Sequence, residues 1–112
     1  TLLYRLVFNL VENAIRYSRP GSTVNVSICD NDSHVFLRVE DQGPGIPKQY
    51  RESIFQPFFR LDKSRSRAYG GAGLGLALVW EIAALHGGTV EVEASSENGT
   101  TMLTTLPKRT AA

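Results

Sequence analysis

Val35-Phe36-Leu37-Arg38-Val39-Glu40-Asp41-Gln42-Gly43-Pro44-Gly45 reads as one strand followed by a glycine–proline turn. Side chains of a strand alternate between faces, so Val35, Leu37, Val39 and Asp41 share one. Three apolar residues make that the core face, which leaves a carboxylate at the end of a buried row. An ionised carboxylate there is costly unless it accepts hydrogen bonds. Gly43 and Gly45 let the backbone pass close to another group, such as a flat ring. Two readings stay open. The aspartate caps local N–H groups of the turn, or it accepts from a ligand, for which the amino group of a purine is a suitable donor.

Working outward, Val24-x-Val26-x-Ile28 is a second alternating strand, joined to the first through Asp30-Asn31-Asp32-Ser33, a hairpin loop by composition. Before it, Leu2, Leu3, Leu6, Val7, Leu10, Val11, Ala14 and Ile15 form a two-wide stripe repeating every fourth residue. That spacing predicts an amphipathic helix over Leu2–Ser18, ended by Arg19-Pro20-Gly21-Ser22. Beyond the first strand, Gln42 to Lys48 is irregular and Lys48 to Phe55 suits a short helix. Arg60 to Gly73 has no apolar period and reads as a loop. Leu74 to His86 is a nearly all-apolar helix, stopped by Gly87-Gly88. Strands Thr89–Ala94 and Thr101–Leu106, joined across Glu97-Asn98-Gly99, finish the chain. Helices alternating with hairpin-linked strands predict an α+β two-layer sandwich, with helices on one face of a mixed, mostly antiparallel sheet.

Bulk properties set limits without giving a function. The 112 residues suit a single domain, and 42% apolar residues supply a core. No apolar run approaches the roughly 20 residues of a membrane span, and no signal peptide is visible. A net charge of +1 points to neither nucleic acid nor membrane. A single cysteine, Cys29, forbids an internal disulfide or a cysteine metal cluster and suits a reducing compartment. Because Thr1 runs straight into helix-period residues, the expectation is a piece of a longer protein, truncated at its N-terminus.

Two further stretches carry chemistry. On the first helix, Arg5, Asn9, Glu12, Asn13 and Arg16 fall within about 100° of one another. Asparagine is a poor choice for a merely solvated face, costing about half a kcal/mol relative to alanine. Amide oxygens can ligate a hard cation, and an arginine one turn on can reach a phosphate. A solvated face or a local hydrogen-bond pair remains the plainer alternative. The second stretch is Gly70-Gly71-Ala72-Gly73-Leu74-Gly75-Leu76, directly before a helix. Free backbone N–H groups and the positive helix start together suit a phosphate; a flexible hinge would look the same. It lacks the Gly-Lys-Ser/Thr of a P-loop and the βαβ setting of a dinucleotide fold. Arg60, Lys63, Arg65 and Arg67 against Asp62 add local positive charge.

Taken in order, these blocks resemble the N, G1, F and G2 boxes of the sensor histidine kinase ATP-binding catalytic domain. That family belongs to the superfamily with gyrase, Hsp90 and MutL and has the Bergerat ATP-binding fold. The N box is Asn9-Leu10-Val11-Glu12-Asn13-Ala14-Ile15-Arg16-Tyr17, and the G1 box is Asp41-Gln42-Gly43-Pro44-Gly45-Ile46-Pro47. The F box is Phe55-Gln56-Pro57-Phe58-Phe59-Arg60, and the G2 box is Gly71-Ala72-Gly73-Leu74-Gly75-Leu76. His86-Gly87-Gly88 and Gly99-Thr100 with Leu106-Pro107 also follow the family pattern.

The resemblance implies a set of roles. Asn13 would bind Mg²⁺, with Asn9 beside the phosphates and the metal's water shell. Arg16, where lysine is usual, would meet a phosphate, and Tyr17 would line the pocket. Asp41 would accept from the adenine amino group of ATP, with Gly43, Gly45 and Ile46 at the ring and Phe58 nearby. Arg60 would act on the γ-phosphate. Gly71, Ala72, Gly73, Leu74, Gly75 and Leu76 would wrap the phosphates, Ala72 lacking the hydroxyl many members have. Glu12 is the candidate if a base belongs to this domain. The implied activity is phosphoryl transfer from Mg²⁺-ATP to a histidine on a helical dimerisation domain outside this chain, followed by a response regulator. His34 and His86 lack the acidic residue of a phosphoacceptor motif. A gyrase- or MutL-type clamp would need a glutamate at Asn9 and no F box; a non-catalytic nucleotide-sensing module is the other alternative. A cytoplasmic place is expected, in a parent protein that could be anchored in the inner membrane, with no nucleic-acid or membrane contact by this domain.

Overall fold

A computed structural model describes residues 1–59 and 75–108. The first helix, α1, spans Leu2–Tyr17, and Thr1 caps it, its hydroxyl accepting from the Tyr4 N–H at 3.2 Å. Strands β1 (Asn25–Asp30) and β2 (His34–Asp41) form the expected hairpin. Asn31 shapes its tip, its side-chain oxygen accepting from the N–H groups of Ser33 and His34. The short helix expected over 48–55 is instead two separate 3₁₀ turns, Lys48–Tyr50 and Ser53–Phe55. Its apolar residues are too few and too scattered to sustain a longer amphipathic stripe.

Helix α2 (Gly75–Leu85) ends as its two glycines predict. Gly87 takes a left-handed φ of 76°, and the N–H groups of Gly87 and Gly88 donate to the Ala84 and Ala83 carbonyls. His86 adds a ring nitrogen, Nδ1, 2.8 Å from the Ile82 carbonyl. Strands β3 (Thr89–Ser96) and β4 (Gly99–Pro107) follow. Sheet order is β1-β2-β4-β3, with every pairing antiparallel. β2 and β3 both run opposite to β4, so they are parallel to each other without being neighbours.

Both helices lie on one face of the sheet, α1 against α2 and β2, and α2 against β3 and β4. Between the layers Leu6, Leu10 and Ala14 of α1 meet Val79, Ile82 and Ala83 of α2. Leu37, Val39, Val90 and Met102 come up from the sheet, and Ile54 and Phe55 close the side. Phe55 also packs on Trp80, ring centroids 5.5 Å apart. The opposite sheet face is polar. There Arg38 crosses β4 to make a two-pronged pair with Glu93, at 2.7 and 2.9 Å. That guanidinium holds the Glu93 carboxyl below its ordinary range.

One apolar surface has no cover among the described residues. Val26 and Ile28 pair with Val39 and Leu37 and therefore share the helical side of the sheet, yet both are exposed. α1 stands over β2 and leaves β1 open, so Tyr4, Phe8 and Ile15 on its outer flank are also exposed. No helix of the described residues is long and apolar enough to cross a membrane.

Thr104 is fully buried on β4, and its hydroxyl has no hydrogen-bond partner among the described residues. A buried hydroxyl without a partner costs about 1–3 kcal/mol. Thr104→Val is therefore expected to raise the unfolding free energy by about 1 kcal/mol in a urea titration. A clear loss of stability would show instead that the hydroxyl is bonded.

Candidate nucleotide site

Asp41 ends β2 opposite Thr100 and on the same face as buried Leu37 and Val39. Its Oδ1 accepts two backbone N–H groups, from Gly43 at 2.9 Å and from Thr100 at 3.2 Å. Oδ2 has no partner among the described residues. The turn-capping reading is met by Oδ1, and Oδ2 is the oxygen that the ligand reading would use. Burial pushes the Asp41 carboxyl above its ordinary 3.8, and the two N–H groups pull against that rise without cancelling it.

The loop after Asp41 is threaded through tight gaps. A Cβ at Gly43 would strike the Tyr17 carbonyl, and one at Gly45, where φ is 86°, would strike that of Ser96. Both glycines were expected to admit a ring; their nearest neighbours are protein backbone. Arg19 fixes the same corner, donating to the Gln42 carbonyl at 3.2 Å and the Glu97 carbonyl at 2.7 Å. Arg51 donates to the carbonyls of Ile46 and Ser95. The Ile46 N–H donates to Ser95 Oγ at 2.8 Å, while the Ile46 side chain packs on the core. Sequence reasoning missed Arg19, Arg51 and Ser95 because each acts through backbone carbonyls or a strand irregularity, which leave no periodic trace. Thr100 stood in the quoted pattern without a role.

A second group gathers further back along α1. Asn9 Nδ2 donates to the Arg5 carbonyl at 2.7 Å, the local bond of the plainer reading. Its Oδ1 is turned towards Gly75 of α2, where a Cβ would meet it at 3.3 Å. Asn9 and Gly75 line a cavity with Phe55, Gln56 and Pro57. Asn13 is half-buried one turn on from Asn9. Arg16 is half-buried and 3.7 Å from the exposed Glu12, an i,i+4 pair of small energetic weight.

Tyr17 lies half-buried at the end of α1, and Leu76 packs on the core. Within the F box, Phe55 is buried and Phe59 leans on Tyr50, ring centroids 5.7 Å apart. Phe58 is exposed and holds a φ of 66°, unusual for a bulky residue. Arg60, Lys63, Arg65, Arg67, Gly71, Ala72, Gly73 and Leu74 lie outside the described residues.

Tyr17 and Asn9 are eight residues apart on one helix, about 12 Å at 1.5 Å per residue. α1 therefore separates a corner where Asp41 Oδ2 has no partner among the described residues from a corner where the Asn9 amide faces Gly75. The first suits a flat donor group.

This arrangement belongs to a known class. The model of the histidine kinase-, DNA gyrase B-, and HSP90-like ATPase family matches residues 1–110, and the chain belongs to that family. Within it, relatives of the chain are named as sensor histidine kinases or sensor proteins, and the solved structures it resembles include the catalytic domain of histidine kinase ThkA. Sensor-like histidine kinase SenX3 of Mycobacterium tuberculosis is 46% identical over 107 residues, 96% of this chain and 26% of the relative. Sensor protein RstB of Escherichia coli is 49% identical over 98 residues, 88% of this chain and 22% of the relative. Among solved structures, mycobacterial sensor histidine kinase MprB superposes with a TM-score of 0.81 at 39% identity, over 95% of this chain and 70% of that one. Full-length ShkA in complex with AMPPNP gives 0.82 at 30% identity, over 99% of this chain and 22% of that one. The chain spans about a quarter of the length of the curated relatives it matches.

The raised value of Asp41 has a testable sign. Its contribution to stability is complete below 3.8 and is lost as pH rises through the raised folded-state value. Asp41→Asn keeps an oxygen for the two N–H groups and removes the titration. Stability of wild type relative to this variant, from urea midpoints, is expected to fall as pH rises from 3.8 through the raised folded-state value. A difference that stays flat across the range would contradict the burial effect.

Proposed function

We propose that this domain binds Mg²⁺-ATP and is the catalytic half of a two-component sensor histidine kinase. It hands the γ-phosphoryl group to a histidine on a separate helical dimerisation domain of its parent protein, which then supplies a response regulator receiver. The observation that carries the nucleotide reading is Asp41, with Oδ1 taken by two N–H groups and Oδ2 without a partner among the described residues, beside a glycine-threaded loop. An amino group on a flat heterocycle meets that need. Gly45 and Ile46 border the ring, and Tyr17 lines the near side.

The phosphate end rests on charge and backbone. Gly71, Gly73 and Gly75 would supply backbone N–H groups to the phosphates, as closely spaced glycines before a helix can. Arg16 turns from Glu12 to an oxygen of the chain, and Arg60 stabilises charge on the transferring group. Among the described residues no cluster of three or more His, Cys, Asp or Glu could hold a metal. A hard cation that takes most of its oxygens from phosphates and water needs only one or two protein oxygens. The amides of Asn13 and Asn9 fit that role, Asn13 as ligand and Asn9 to its water shell. Magnesium, when bound, neutralises phosphate charge and orients the departing diphosphate.

The acceptor is sought outside the chain. Nδ1 of His34 lies 2.7 Å from the Ser33 hydroxyl, and Nδ1 of His86 lies 2.8 Å from the Ile82 carbonyl. Both histidines are engaged in shaping local structure. Glu12, exposed beside Arg16, is a weaker candidate for a base than an acid beside the acceptor histidine.

Calorimetric titration with a non-hydrolysable ATP analogue tests the binding. Loss of a charged hydrogen bond is worth about 1.5–3 kcal/mol, so Asp41→Asn is expected to weaken binding by roughly tenfold to a hundredfold. Omitting Mg²⁺ or introducing Asn13→Ala is expected to weaken it as well. Unchanged affinity in Asp41→Asn would remove the adenine assignment.

Transfer is checked with γ-labelled ATP. The domain alone is expected to stay unlabelled, and a cognate helical domain added in trans is expected to gain phosphohistidine. Binding without transfer to that domain would favour the non-catalytic nucleotide-sensing alternative.

A further inference from the structure

β3 does not keep its alternation. Val90 and Val92 face the core, opposite Thr104 and Met102, but the register shifts between Val92 and Ala94. Glu93 is the extra residue of a β-bulge, unopposed on β4, and its side chain goes to Arg38 on the polar face. Past the bulge Ala94 pairs with Thr101 and Ser95 with Thr100. In an unbroken strand Ser95 would stand on the polar face; the bulge turns it to the side of Asp41.

There Ser95 joins a connected set of hydrogen bonds. Its hydroxyl accepts the Ile46 N–H at 2.8 Å and lies 2.8 Å from the hydroxyl of Thr100. Thr100 is buried, and its N–H donates to Asp41 Oδ1. The Ser95 carbonyl accepts from Arg51, which also donates to the Ile46 carbonyl. One side chain therefore ties the wall of the loop, Ile46, to the two residues that form its floor.

We propose that Ser95 is a positioning residue for purine recognition, fixing the gap between Ile46 and the Asp41–Thr100 pair. This deepens the adenine assignment and rests on it. A ring seated between apolar wall and carboxylate tolerates little change in that gap, and the hydroxyl holds both sides at once. With alanine at 95 the Ile46 N–H loses its acceptor and Thr100 loses its hydroxyl neighbour. The loop then keeps the Arg51 clamp, the Arg19 bond to the Gln42 carbonyl and its glycine contacts, none of which reaches the Ile46 N–H. Because the hydroxyl's partners among the described residues, Ile46 and Thr100, both lie at the base end, its loss should fall on base recognition and leave the magnesium dependence alone.

The test uses the 112-residue chain with non-hydrolysable ATP and GTP analogues, in wild type, Ser95→Ala, Ser95→Thr, Asp41→Asn and Ser95→Ala/Asp41→Asn. Loss of one hydrogen bond corresponds to about fivefold in affinity. Ser95→Ala is expected to weaken the ATP analogue by that factor and to narrow its advantage over the GTP analogue. Ser95→Thr, which keeps the hydroxyl, is expected to restore both. The double variant is expected to lose less than the product of the two single losses, as residues sharing one network do. Wild-type affinity and discrimination in Ser95→Ala would overturn the proposal. A uniform loss for both analogues, failure of threonine to restore binding in a folded protein, or independent single losses would overturn it equally. If Asp41→Asn binds as wild type, the adenine assignment itself fails. If Asp41→Asn is weakened and Ser95→Ala is not, only the role of Ser95 falls.

Discussion

Asp41 Oδ1 is the point on which the fold and the site meet. Two N–H groups converge on it, one from the loop that leaves β2 and one from β4. A carboxylate at this depth survives only because those donors face it, and they can do so only if the β2–β4 register and the turn are both in place. Gly99 adds to the constraint, since a Cβ there would strike the Asp41 carbonyl. The strand pairing, the turn and the β3–β4 hairpin are thereby closed around a single residue. Oδ2, by contrast, has no partner among the described residues.

α1 does two jobs with one sequence. Leu6, Leu10 and Ala14 bury it against the sheet and α2, and Asn9, Asn13, Arg16 and Tyr17 occupy the arc beside that stripe. The buried residues fix the helix rigidly, and the polar arc inherits that rigidity, as a precise site requires. Its C-terminal end abuts Gly43 and its middle faces Gly75, so the separation of the two corners is set by helical rise and not by loops.

Periodic features were legible in the sequence. The α1 stripe, both hairpins, the inward direction of Asp41 and the Gly87-Gly88 cap all follow from local spacing, and all are present. What depends on distant partners was not legible. Val26 and Ile28 alternate as core residues do, yet they are exposed, because coverage is decided by where α1 packs. The 48–55 segment divides into two 3₁₀ turns because Ile54 and Phe55 are drawn into the core while Arg51 reaches the loop. Glycines 43 and 45 were identified, but their neighbours could not be. Ser95 lies beyond the expected end of its strand at Ala94, and only the register shift between Val92 and Ala94 puts it on the side of Asp41.

The bulge at Glu93 makes the number of residues in β3 as consequential as their identity. On a regular strand Glu93 and Ser95, two positions apart, would share a face. The extra residue lets the first meet Arg38 on one side of the sheet while the second turns to Asp41 on the other. Deleting Glu93 would straighten the strand and keep Ser95 opposite Thr100, at the cost of the Arg38 pair. What the bulge adds to this edge is therefore two-sidedness: one short stretch of chain serves both faces of the sheet.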